Sequence, residues 1–307
     1  MHSLSPYILR CFNPNLSGKL EERYSVLDKV GQSDAFQLLE TFIQSHSNDF
    51  FDIEDTKQVF RFSQFTFSQA RRVAYGWLES GSYGIRSDII NVETGKVDFK
   101  KAQNNAEIIK HFVYFFMPRG FNEAIALLHA YRGGGIKTLF FGQFSPYFSE
   151  QTQLNLQMNP LSYDKAFDRW VDGQAKEMRL VKFTGFTYLA NQIKHSGHDE
   201  QELRLKPPRK GALGKFKDFL NPSSEQAKAV ELLTPLCAQV KTVIELDGKK
   251  RVFQVGASAD HAVCEIEAPE ELPLEGGNPT FDGMTGWCKE VAQEFSLKMY
   301  PGMQVQP

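Results

Sequence analysis

The run Lys-His-Phe-Val-Tyr-Phe-Phe-Met at positions 110–117 constrains the fold most. It is continuous in apolar residues, short, and closed by Pro118-Arg119-Gly120. Such a run reads as a central strand whose two faces are both covered. The surrounding segments supply the rest of a sheet. Positions 48–68 alternate around Phe50, Ile53, Phe60, Phe62, Phe65 and Phe67, the pattern of half-buried strands. Positions 71–99 read as a meander with turn signals at Ser80-Gly81 and Glu93-Thr94-Gly95-Lys96. Further strands are expected over 5–12, 24–30, 136–141, 153–158, 177–186, 202–206, 238–246, 251–255 and 262–267. Asp247-Gly248 makes the hairpin turn between 238–246 and 251–255. Positions 123–131 fit either a strand or a short buried helix. Helical signals cover 35–44, capped by Ser33-Asp34, then 144–152, 163–171, 187–193, 209–220, 225–233 and 281–299, with a short helical turn at 102–107. Strands and short helices do not alternate regularly. The expected class is therefore α+β, a largely antiparallel mixed sheet with flanking short helices. A chain of 307 residues suits two domains. The polar loop 194–200 places the boundary so that they cover 1–196 and 197–307.

No apolar run approaches the roughly 20 residues that span a bilayer. The first residues, MHSLSPYILRCF, lack a basic region followed by an apolar stretch, so no signal peptide is expected. Cys11, Cys237, Cys264 and Cys288 are scattered without a C-x-x-C pair. That suits reduced thiols in a cytoplasmic protein and disfavours a disulfide framework or structural zinc.

The charge is not evenly spread. The chain has a formal net charge of -2. Yet positions 204–217 hold Arg204, Lys206, Arg209, Lys210, Lys215 and Lys217 and no acid. Positions 202–206 read as a strand. Positions 209–220 read as a basic helix with Leu213, Phe216 and Leu220 inward, stopped by Asn221-Pro222. A strip of this kind gathers phosphates whatever the bases are. Were all six cations to meet duplex phosphates, log K would fall with log salt at a slope near about -5. The same charges also suit a solvated helix with no partner. Arg71, Arg72 and Arg86 beside Tyr75, Trp77 and Tyr83, and Lys137 and Arg132 beside a glycine run, are further candidates for phosphate contact or base stacking.

Catalytic and metal motifs are missing. Gly133-Gly134-Gly135-Ile136-Lys137 lacks the G-x-x-x-x-G-K-[ST] spacing and precedes an expected strand, so it reads as a hairpin turn. His195 and His198 lie in a Ser/Gly-rich loop, His111 and His129 in apolar stretches, and Asp52, Glu54 and Asp55 in a solvated acidic loop. No catalytic residue, metal ligand or cofactor is nominated. An enzyme acting on nucleic acid through carboxylates without local spacing, such as a metal-dependent nuclease, is the alternative reading.

The stretch Lys206-Pro207, Lys210, Lys217-Asp218, Asn221-Pro222-Ser223 resembles the corresponding segment of the RexA-like phage-exclusion family of lambdoid phage, at a similar place in a chain of similar length. The resemblance implies a cytoplasmic, non-catalytic protein that binds double-stranded DNA without sequence preference. It further implies a homodimer, a role in abortive infection, sensing of a phage protein–DNA complex, and a small membrane effector of the RexB type as partner.

Overall fold

The structure is a computed structural model in which residues 2–131, 134–161, 168–183, 202–209, 211–256, 264–303 and 307 are described. β1 (His2–Phe12) alternates buried and half-buried positions. β2 (Tyr24–Ser25) is all that forms of the strand expected at 24–30. Its continuation turns away because the Leu27 N–H donates to Phe121 O at 2.9 Å. α1 (Ala35–Ser45) starts where the Asp34 carboxylate accepts from Phe36 N. Three strands follow, β3 (Phe51–Ile53), β4 (Gln58–Ser68) and β5 (Val73–Ser82). Ser80-Gly81, expected as a turn, lies inside β5. A Cβ on Gly81 would sit 2.3 Å from Glu107 O, so the glycine serves close strand approach rather than chain reversal.

A two-stranded ribbon comes next, β6 (Ser87–Ile90) and β7 (Val97–Lys101), turned at 93–96 as expected. β8 (Glu107–Phe116) contains most of the 110–117 run, and β9 (Glu123–Tyr131) resolves the ambiguous segment as a strand. The expected helical turn at 102–107 does not form. β10 (Gly134–Gly135) folds back on β9. α2 (Lys137–Thr152) then replaces the strand expected at 136–141. Phe140, Phe144 and Phe148 are all buried. They recur every four residues, one stripe of a helix, and this period overrides the local β preference of Phe140-Phe141.

The chain continues through β11 (Asn155–Pro160), β12 (Gln174–Val181), β13 (Glu202–Leu205), α3 (Phe216–Leu220) and α4 (Glu225–Leu233). It ends with β14 (Gln239–Leu246), β15 (Lys249–Val255), β16 (Cys264–Glu267) and α5 (Phe281–Met299). The turn between β14 and β15 is Asp247-Gly248, both at positive φ (51° and 76°), which suits the twist of a two-residue hairpin. Antiparallel sheets with short helices make the class α+β, as expected. The helices expected at 163–171 and 187–193 lie wholly or mostly outside the described residues.

Two compact units emerge, one of residues 1–7, 159–270 and 295–301, the other of 8–158, 271–294 and 302–307. The expected boundary at 196–197 lies outside the described residues. In the first unit the strand order is β13-β12-β14-β15-β16, with β16 paired to Ser3 and Leu4 of β1. Its core holds Trp170, Phe216 and Phe253, the last two stacked at 4.3 Å. In the second unit the order β9-β8-β5-β4-β3 places β8 between β9 and β5. Phe115 meets Phe140 of α2 at 5.1 Å on one face. Phe112 meets Phe281 of α5 at 5.5 Å on the other. The central strand is covered on both sides, and each buried ring contributes about 2–3 kcal/mol through lost water contact. Among the described residues no helix is long and apolar enough to cross a membrane.

Candidate nucleic-acid interface

The basic segment is short of the expected helix. Gly214 at φ 117° breaks it, and only residues 216–220 are helical. Phe216 and Phe219 are the inward side chains, not Leu213 and Leu220. Residues 211–216 run instead beside the start of β12. Ala175 N donates to Gly214 O, Leu213 N to Ala175 O and Phe216 N to Gly173 O, all at 2.8–2.9 Å. This alignment fixes which carboxylate meets which lysine.

At one end of the segment lies a neutralised face. Arg204 of β13 stands directly opposite Arg179 of β12, and Arg179 opposite Lys241 of β14. A row of like charges across a sheet is unfavourable by itself. Glutamates interleave it. Arg179 reaches Glu177 at 2.6 Å and Glu267 at 2.5 Å. Arg204 reaches Glu202 at 3.0 Å, Lys206 reaches Glu177 at 3.2 Å, and Lys241 reaches Glu265 at 3.0 Å. Burial pushes the Glu177 carboxyl upward, but Arg179 and Lys206 outweigh that and hold it below the usual carboxylate range. Burial likewise works against the charge on Arg179, and Glu267 and Glu177 restore it. Four cations here face four carboxylates, so Arg204 and Lys206 add little free positive field.

The other end is open. Lys217 lies 2.9 Å and Lys215 3.4 Å from the same Asp172 oxygen. All three side chains are exposed. Hydrogen bonding from Lys217, then its charge, then Lys215, lowers the Asp172 pKa. The Asp218 carboxylate accepts from Lys215 N at 2.7 Å and closes the helix start. Arg209 is exposed in the turn at 208–211, and no carboxylate lies within ion-pair distance of it among the described residues. Lys210 lies outside the described residues. Lys176, absent from the sequence reading, brings its Nζ to 3.5 Å from Gly211 O.

The remaining candidates belong elsewhere, in the second unit. Arg72 is a correction. The residue is 2% exposed, and its guanidinium donates to both Asp34 oxygens at 2.6 and 2.7 Å and to Met117 O. It locks α1 to the strand pair and is closed to phosphate. Arg71 is exposed, but Trp77 is buried and Tyr75 stacks on Tyr114 at 5.6 Å, so this meander offers core aromatics rather than a stacking platform. Lys137 is half-buried over the Phe141 ring at 5.2 Å. A helix follows it, which removes one argument against a phosphate loop, but the spacing still fails. His111 is a buried structural histidine facing His129 O at 3.1 Å, its pKa lowered by burial. Asp52 accepts from the Tyr83 hydroxyl at 2.8 Å. His195, His198 and Arg132 lie outside the described residues. Among the described residues no cluster of three or more His, Cys, Asp or Glu side chains is placed to hold a metal ion.

Sequence reading missed Asp172, Glu177 and Arg179 because each is distant in the chain from the strip. No family model matches the chain, and no curated protein matches it.

Proposed function

We infer that the protein binds double-stranded nucleic acid without sequence preference, through the open end of segment 202–217, as part of a phage-exclusion response. The observation that carries this reading is the set of exposed cations Arg209, Lys215 and Lys217, held by no more than one shared carboxylate outside the helix start. Exposed ion pairs of this kind are weak and exchange readily for phosphate. The resemblance of residues 206–223 to the RexA-like segment supports the defence role and the membrane effector. The neutralised face removes Arg204 and Lys206 from the phosphate count. With two or three contacts the expected salt slope is about -2 to -3, not about -5.

The test is a duplex titration across salt with wild type and an Arg209→Glu/Lys215→Glu/Lys217→Glu variant. The expected result is sequence-independent binding lost in the variant, with labelled duplex intact in Mg²⁺. Equal affinity and slope in both proteins would remove this end from any interface, and metal-dependent cleavage would favour a nuclease instead.

A further inference from the structure

β3 ends the sheet of the second unit. Phe51 lies opposite Phe60 of β4, Asp52 opposite Val59 and Ile53 opposite Gln58, and among the described residues no strand pairs with the other edge of β3. Such an edge leaves backbone N–H and C=O groups open to a further strand. Its two faces differ, since consecutive residues of a strand point to opposite sides. Phe51 shares one face with Ile53, its ring 5.1 Å from His46 and 5.5 Å from Phe60. Asp52 lies on the other face. Arg61, two residues along β4 from Val59, sits over the Phe50 ring at 4.5 Å, which puts Phe50 on the Asp52 side. Phe50 and Phe51 are 39% and 44% exposed.

Charge selects the occupant. Positions 49–55 hold Asp49, Asp52, Glu54 and Asp55 and no cation. All four are exposed, and no Lys, Arg or His lies within ion-pair distance of any of them among the described residues. Arg61 is committed to Glu79 at 2.8 Å. The Tyr83 hydroxyl donates to Asp52, and its pKa is raised by that bond first and further by the charges of Asp52 and Glu54. The field at the edge is thus negative even with Lys57 Nζ 5.6 Å from the Tyr83 ring centre. Among the described residues these carboxylates belong to no cluster placed to hold a metal ion. A polyanion is repelled, and so is the same edge of a second copy, which brings like charges together. An extended segment alternating basic and apolar residues meets each feature. Its backbone pairs with the open edge, its apolar residues pack on Phe51 and Ile53, and its cations reach Asp52 and the Phe50 ring, a ring that already carries one guanidinium.

We propose that the β3 edge takes up an extended basic segment of another protein as an added strand. The proposal is independent of nucleic-acid binding, since no residue of segment 202–217 takes part. The test is fluorescence anisotropy of a labelled heptapeptide alternating Val and Arg, titrated with the full chain. Two comparisons accompany it. One is the Asp49→Asn/Glu54→Gln/Asp55→Asn protein, which leaves Asp52 on Tyr83. The other is a peptide with proline in place of its inner valines, which keeps the charge and removes backbone donors. The expected result is saturable binding, weakened at least about tenfold in each comparison, with the variant retaining the wild-type circular dichroism. Amide exchange of wild type adds a readout that needs no variant: protection at residues 50–54 should rise when the valine peptide is added. No binding at about 1 mM protein overturns the proposal. Equal affinity for the variant protein or for the proline peptide also overturns it. So does protection that rises only elsewhere, or that rises at 50–54 with protein concentration alone, which would put a second copy on the edge.

Discussion

The two ends of segment 202–217 carry similar numbers of cations, yet they differ in what surrounds the carboxylates. At the β13 end, Glu177 is 8% exposed and sits between Arg179 and Lys206, inside a row of charges set by strand register. At the α3 end, Asp172 is exposed on the surface beside Lys215 and Lys217. The first arrangement is part of the fold, because removing one member leaves partly desolvated charge behind. The second is a surface pairing that solvent and phosphate can replace. Charge counted along a sequence is therefore not charge available to a ligand. The burial of the opposing carboxylate decides.

Arg72 marks the extreme of the first kind and gives the largest expected effect. Arg72→Ala should destabilise the chain by about 3–5 kcal/mol, since it leaves the Asp34 carboxylate without its bidentate partner. Urea unfolding followed by circular dichroism measures it, and a cost near zero would mean that the pair is not a lock. Glu177→Ala comes next, at about 2–3 kcal/mol, because Arg179 retains Glu267 but loses one of its two close carboxylate partners, and Lys206 loses its own. A loss as small as that of an exposed substitution would erase the distinction between the two ends.

The pH dependence sharpens the same contrast. Glu177 titrates lower in the folded chain than in the unfolded one. Its contribution is thus fully present above the ordinary glutamate pKa and is lost as pH falls through the folded value. Thermal melts from pH 7 downward should fall off in acid, and Glu177→Gln should flatten that fall. His111 acts in the same direction at higher pH. Burial lowers its pKa below 6.5, so its share of stability is present above 6.5 and declines as pH drops through the folded value. The smallest stability effect belongs to Asp172→Asn, whose denaturation midpoint should match wild type. A clear shift would make that end structural as well.

Much of the fold was legible because the signals were local. The 110–117 run, Asp247-Gly248, Asn221-Pro222 and the amphipathic stretch at 281–299 each stated its element within a few residues. Gly81 and Phe140 misled for a physical reason: one serves a cross-strand approach and the other a helical stripe, and neither is visible in a short window. The basic strip was legible as composition only. Its partition into a neutralised face and an open end depends on β12, β13 and β14 aligning Arg204, Arg179 and Lys241, a long-range register that no single stretch records.

The most direct test of this account is the salt dependence of duplex binding by Asp172→Asn beside wild type. Freeing Lys215 and Lys217 from their shared carboxylate should raise affinity several-fold and steepen the slope of log K against log salt from about -2 toward about -3. Coincident curves for the two proteins, or no duplex binding by either, would contradict it.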